Sequence, residues 1–211
     1  MAFLKEEWTS QVYAPILNGH QLYFAIDQEC YQYTAEDGRV NKQQIHELNS
    51  GHDEADTRVI FHANFVVGVC YDKTPVIVIR SIDTDVFVLM LHHARFLDAN
   101  LWMDTGINSK NTRRMIDISH LAIKLTAPIC AALPSFHALT GCDYTASFLR
   151  KAKWKPFQIM KTNSRFTTAI GHLGDSDVLD PDVVATVEEH VCYVYGVRNL
   201  SSVNDARLHL F

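Results

Sequence analysis

No two of the five cysteines, Cys30, Cys70, Cys130, Cys142 and Cys192, form a C-x-x-C pair, and they are too scattered to staple a small secreted fold. A reducing compartment, cytosol or nucleus, is therefore expected. The opening Met-Ala-Phe-Leu-Lys-Glu-Glu-Trp lacks the basic start and unbroken apolar stretch of a secretory signal, and no later run is long enough to span a bilayer. The expectation is a soluble chain with no membrane partner. Also missing are any internal repeat, any low-complexity segment, a phosphate-binding glycine loop, a dinucleotide glycine fingerprint and a Ser/His/Asp elbow. The eleven histidines match no H-E-x-x-H or Cys/His ligand spacing. The obvious pairs, His92 with His93 and His52 with His62, therefore read as surface or partly buried imidazoles.

What remains is a chain of 211 residues, 47% hydrophobic and 20% charged, enough to bury one sizeable core with peripheral additions. A formal net charge of -5 argues against uniform coating of a polyanion, because nucleic-acid affinity comes mainly from cations that neutralise phosphates. The charge is unevenly spread, however. Between Tyr144 and Gly174 there is no acid, while Arg150, Lys151, Lys153, Lys155, Lys161 and Arg165 fall there. The next stretch reverses sign through Asp175, Asp177, Asp180, Asp182, Glu188 and Glu189. Lys151, Lys153 and Lys155 are candidate contacts to DNA or RNA, against the alternative of a solvated surface segment.

Apolar spacing predicts a helix over Phe3 to Leu17, then strands over Gln21 to Ile26 and around Cys30 to Thr34, with an Asp-Gly turn at Asp37-Gly38. Ser50 followed three residues later by Asp53 predicts the cap of a helix running from Asp56 to Val67. Pro75 to Ile79 is a short, almost wholly apolar, β-branched run, as in a strand buried on both faces of a parallel sheet. A helix from about Asp85 to Phe96 and a strand over Asn100 to Met103 follow. Further helices are predicted over Ile116 to Leu125, Pro128 to Leu139 with a kink at Pro134, Pro156 to Met160, and Asp182 to Tyr195. Strands alternating with helices indicate an α/β core.

In an open α/β sheet, ligands bind beyond the carboxyl ends of the strands, which is where Arg80-Ser81-Ile82-Asp83-Thr84-Asp85 stands. Two carboxylates so close together can face one hard cation of the Mg²⁺ type. The same pair also reads as a helix N-cap, Asp83, with a first-turn partner of the helix dipole, Asp85. Asp53, Glu54 and Asp56 present the same choice, since acids suit a first helical turn and Glu54 can pair with Arg58. Leu139-Thr140-Gly141-Cys142-Asp143-Tyr144 places a third acid in a glycine-containing turn after a long apolar helix. His137 reads as a packed helix residue or a neighbour of Asp143, and Asp104, directly after Leu101-Trp102-Met103, as an outside candidate at another strand end.

The order of Glu54-Ala55-Asp56-Thr57, Asp83-Thr84-Asp85 and Gly141-Cys142-Asp143-Tyr144 resembles the internal domain of flap-endonuclease and XPG-type 5′ nucleases, within the PIN-like group. It is similar, too, to long animal proteins carrying Glu-Ala-Asp-Thr-Arg, Asp-Thr-Asp-Val and Ala-Leu-Thr-Gly-Cys-Asp stretches. The resemblance covers roughly half the chain, from Ser50 to Met160. It implies a partial PIN-like α/β sheet with helices on both faces and a helical C-terminal part. It also implies a metal site of Glu54, Asp56, Asp83, Asp85 and Asp143 holding Mg²⁺ or Mn²⁺, and hydrolysis of DNA or RNA phosphodiesters. The expected organisation is an N-terminal segment over 1–49, the core over 50–143 and a helical region with the basic segment over 144–211.

Two features depart from the family pattern. The glycines of its phosphate-binding loop fall on Arg150 and Ala152, and side chains at such positions resist a positive φ. The family's opening strand with its own Asp residues, the first half of the sheet and a helical arch have no counterpart in Phe3 to Thr34. A partner chain or an N-terminal half outside this sequence is the expected complement, and this chain alone is expected to be weakly active or inactive. The competing class is a non-catalytic module, derived from a nuclease fold, that binds nucleic acid or protein.

Overall fold

The computed structural model describes residues 2–51, 54–70 and 72–210, so the expected helix signal at His52 and Asp53 lies outside the described residues. The chain divides into two compact units, Met1–Val69 and Cys70–Phe211. Each is mixed α/β, with its own three-stranded sheet. No single helix among the described residues is long and apolar enough to cross a membrane.

In the first unit the expected single helix over Phe3 to Leu17 is broken into α1 (Ala2–Glu7), a 3₁₀ turn (Gln11–Tyr13) and α2 (Ala14–Leu17). Two local causes interrupt it. The Thr9 hydroxyl donates to the Glu6 carbonyl at 2.6 Å, competing with the helical ladder, and Ser10 is extended at φ -64°, ψ 133°. Strands β1 (Leu22–Ile26), β2 (Glu29–Glu36) and β3 (Arg39–Gln44) form an antiparallel meander in that order. Asp37 and Gly38 have φ of 49° and 73°, the left-handed pair that a two-residue hairpin turn requires. Leu17, Ile26, Tyr31 and Tyr33 make the core of this unit. Helix α3 (Ala55–Val69) closes it, and the Arg58 guanidinium donates to the Glu29 carbonyl at 3.0 Å. The helix begins at Ala55, the Ser50 amide donates to the Gln28 carbonyl, and the Asp53 half of the capping signal falls outside the described residues.

The second unit carries the sheet β4 (Val76–Arg80), β5 (Asn100–Thr105) and β6 (Arg114–Asp117), with β5 central, parallel to β4 and antiparallel to β6. The register puts Val76 opposite Asn100, Val78 opposite Trp102 and Asp104 opposite Met115. Alternation then gives the sheet two unlike faces. Ile79, Leu101 and Met103 are buried, whereas Val76, Val78 and Met115 on the other face are 67%, 52% and 49% exposed. The expectation that β4 is buried on both faces is thus corrected: it is an edge strand with one open face in this unit, and its apolar run reflects β propensity as much as burial.

Helices α4 (Thr84–His93), α5 (Ile118–Leu125) and α6 (Ala127–Leu139) follow the strands. Thr126, at φ 78°, turns the chain between α5 and α6 through 100°. Helices α7 (Trp154–Thr162), α8 (Ser164–Gly171), α9 (Pro181–Tyr195) and α10 (Val203–Leu210) complete the unit. Ile129, Ala132, Phe136, Met160 and Ile170 form a core cluster that joins α6 to α7 and α8. Helix α9 is anchored by His190, wholly buried, whose Nε2–H donates to the Pro156 carbonyl at 3.2 Å. Burial lowers the pKa of that imidazole.

Candidate functional site

The site is built where β4 hands over to α4. Asp83 has extended geometry at φ -80°, ψ 137°, and its Oδ1 accepts the Asp85 amide at 2.9 Å, so it is an N-cap. Asp83 itself is positioned by its amide, which donates to the Ser81 hydroxyl at 3.0 Å. Asp85 stands in the first turn, where the helix dipole favours a negative charge. The capping reading and the ligand reading are therefore compatible. Each carboxylate keeps an oxygen beyond its recorded protein bond, and an oxygen of Asp83 lies within 4.8 Å of one of Asp85.

Asp143 reaches the same cleft from the α6–α7 connection. The turn that carries it is closed by reciprocal bonds between Cys142 and Thr145, amide to carbonyl, at 3.3 and 3.2 Å. The Thr145 hydroxyl donates to the Ala138 carbonyl at 2.6 Å, tying the turn to the end of α6. Gly141 enters it at φ 107°, and a Cβ there would lie 2.6 Å from the Ser147 Cα. Only glycine fits that approach.

Asp83, Asp85, His137, Cys142, Asp143 and Lys153 line a cleft of about 440 Å³. Within it runs a chain of polar contacts. His137 Nε2 meets Asp85 Oδ1 at 2.7 Å, and His137 Nδ1 meets Lys153 Nζ at 2.8 Å. An ammonium can only donate, so Nδ1 accepts and the ring proton sits on Nε2, pointing at Asp85. Burial holds the Lys153 ammonium below its usual pKa range, opposed by the nearby Asp85 carboxylate and, less, by Cys142. Contact with the Thr145 side chain first, and with the backbone of Tyr144 and Thr145, lowers the pKa of the Cys142 thiol.

Among the expected metal-site residues, the second unit thus brings together Asp83, Asp85 and Asp143, although Asp85 and Asp143 are far apart in sequence. Glu54 and Asp56 belong to the first unit, at the start of α3, with Asp56 in its first turn. The three candidate lysines part company. Lys153 lines the acidic cleft, Lys151 lies with its ammonium 5.2 Å from the Tyr195 ring centre, and Lys155 is exposed on α7. Arg165 pairs with Glu189, so part of the basic segment is met by the acidic stretch that follows it. His137 is more than a packed helix residue, and its partner is Asp85 rather than Asp143. Its contacts join residues 52 and 16 positions away, a pairing that no local spacing announces. Arg150 adopts φ 56°, a left-handed conformation that an arginine resists.

Asp104 has a different role from the cleft acids. Its carboxylate lies 2.6 Å from an Arg80 guanidinium nitrogen and accepts two bonds from Arg113, at 2.9 and 2.8 Å. Those bonds, Arg113 first and Arg80 second, pull its pKa from 3.8 to about 2. Its oxygens are committed to arginine, so it is an ion-pair centre locking β4, β5 and the start of β6. A carboxyl with a depressed folded pKa stabilises the fold above its unfolded value and loses that contribution as pH falls through the folded one. Thermal melts should therefore show Asp104→Asn less stable than wild type at neutral pH, with the gap closing between pH of about 4 and about 2. A gap unchanged down to the lower limit would mean that the ion pairs contribute nothing.

Comparison of the chain with protein-family models, curated proteins and solved structures gives no match.

Proposed function

We propose that the cleft is a hard-cation site: Asp83, Asp85 and Asp143 hold Mg²⁺ or Mn²⁺, and Lys153 stands beside the ion to meet an anionic group of the substrate. The donor types fit: Asp83 and Asp85 bring oxygens within 4.8 Å of one another, Asp143 lines the same cleft, and Mg²⁺ takes a few carboxylates and otherwise water and phosphate oxygens. More particularly, the order of the three acidic motifs supports a PIN-like, flap-endonuclease-type site acting on DNA or RNA phosphodiesters. The single observation that carries this reading is the convergence of Asp143 with Asp83 and Asp85 on one cleft that also contains an ammonium.

The chain's own residues have distinct tasks. Asp83 and Asp85 are fixed by the α4 cap, so their oxygens are preorganised before any ligand arrives. His137 orients Asp85 and separates it from Lys153, preventing a direct ion pair that would cancel both charges. Lys153 neutralises a non-bridging phosphate oxygen. The ion, when bound, supplies Lewis-acid polarisation of the phosphodiester and charge neutralisation at the leaving oxygen. A second reading, a non-catalytic nucleic-acid module, is favoured by the dispersal of Lys151 and Lys155 away from the cleft and by an arginine where the family's loop has a glycine.

The test uses labelled flap, single-stranded DNA and RNA with Mn²⁺, comparing wild type with Asp83→Ala. Slow cleavage, abolished in the variant, is the expected result. Salt-dependent binding without cleavage, weakened by Lys153→Glu with Lys155→Glu, would establish the module reading instead. Neither binding nor cleavage would sink both.

A further inference from the structure

The acid-free segment contributes to a second feature that the metal site leaves unused. Residues 148–151, α9 and α10 enclose a groove of about 540 Å³, far into the range of about 300–1,000 Å³ typical of small-molecule sites. Its walls are apolar. Phe148 and Leu149 come from the connection before α7, Val191 and Tyr195 from α9, and Val203 and Leu210 from successive turns of one α10 face. Beneath them lies a packed floor of Cys192, Val197 and Ala206. Burial raises the Cys192 thiol pKa, so the floor is uncharged.

The polar lining is of one sign, Arg150, Lys151 and Arg207. Arg150 and Arg207 have no acidic partner among the described residues, as is also true of Arg95, Arg114 and Arg198 in this unit, but these two line an apolar groove. Arg150 is moreover held at φ 56°, a left-handed conformation that a residue with a Cβ rarely adopts.

We infer that this groove binds an amphiphilic monocarboxylate of the long-chain fatty-acid class, its alkyl chain along the apolar walls and its carboxylate against Arg150 and Arg207. Three observations select that occupant. Two walls, α9 and α10, are helices with their backbone groups satisfied internally, and the 148–151 connection is a turn closed by the Lys151 amide on the Phe148 carbonyl, so no strand edge is offered to pair with an extended peptide's amides, whereas an alkyl chain brings none. A peptide helix about 10 Å across and three turns long occupies roughly 1,300 Å³, more than twice the groove of about 540 Å³. Two unpaired guanidiniums at an apolar groove match one carboxylate, for which arginine offers a fork of donors.

The measurement is fluorescence of dansyl-labelled undecanoic acid added to the full chain, with displacement by oleate kept below its micellar concentration. Saturable enhancement, reversed by oleate but at least about tenfold less readily by uncharged methyl oleate, is expected. Arg150→Gln with Arg207→Gln should weaken the probe by about tenfold or more while preserving the melting temperature and the response to Mn²⁺. Ala206→Trp should block the groove outright, and because it also perturbs a buried position the arginine variant is the deciding one. Equal displacement by oleate and its ester, or an unchanged affinity in the arginine variant, would overturn the inference. So would enhancement that appears only with anionic vesicles, or displacement by an acidic amphipathic peptide but not by oleate.

Discussion

Adding Mg²⁺ or Mn²⁺ at about ten times its dissociation constant should raise the melting temperature of the wild-type chain by about 3–6 °C, and Asp83→Ala with Asp85→Ala should abolish the rise. The size follows from linkage, because a ligand that binds only the folded state stabilises it by about 1.4 kcal/mol at that excess. The sign follows from repulsion. Asp83 and Asp85 have oxygens within 4.8 Å of one another, Asp143 lines the same cleft, and an ion relieves the mutual cost of their charges. Without metal, the double variant loses the Asp83 cap, which costs about 1 kcal/mol, but also loses that repulsion. The metal-dependent difference is therefore the quantity to compare, not the starting temperatures. Asp83→Asn is the informative single change, since asparagine caps a helix nearly as well as aspartate but lacks its charge. Retention of the full metal response in the double alanine variant would place the ion elsewhere.

Gly141→Ala should be the most damaging single methyl addition near the cleft, lowering stability by at least about 2 kcal/mol. Two costs add. Alanine is strained at φ 107°, and its Cβ would lie 2.6 Å from the Cα of Ser147, a backbone atom that cannot swing aside. Gly174→Ala provides the control, for its φ of 95° is also positive but nothing lies within 4 Å of the added carbon. It should cost only about 1 kcal/mol. Denaturant melts with unchanged slopes would measure the difference between the two. Gly141→Ala should also blunt the metal response, since the turn it disrupts holds Asp143, whereas Gly174→Ala should leave that response intact. Equal losses in the two variants would mean that the turn yields without strain, and that Asp143 does not depend on it.

Much of the fold was legible because its signals are local. Pro75 to Ile79 declared β4 through a β-branched run, and Asp83 declared the start of α4 through the preference of a short acidic side chain for the cap. Asp37-Gly38 declared a turn, because both residue types accept a positive φ, and the apolar period over Asp182 to Tyr195 declared α9. Elements without such signals were missed. Strand β3, Arg-Val-Asn-Lys-Gln-Gln, is polar and gains its conformation from pairing with β2. Strand β6 reads as the first turn of the helix after it, and its Arg114–Asp117 segment extends only because β5 offers a partner. Helix α1 looked continuous with α2 because periodicity cannot see a threonine hydroxyl competing for a carbonyl.

The sequence by itself determined the residue types of the site and the two strand and turn positions that present them: Asp83 and Asp85 after β4, Asp143 after a glycine. Tertiary structure alone decided that Asp143 shares a cleft with that pair, and that His137 links Asp85 to Lys153. It also decided that Asp104 is consumed by Arg80 and Arg113 while, among the described residues, Arg150 and Arg207 are left without an acid. Capping, turns and strand propensity act within a few residues and are written in the chain. Meetings between side chains tens of residues apart depend on how helices pack, and on which charges that packing neutralises, which no local pattern carries.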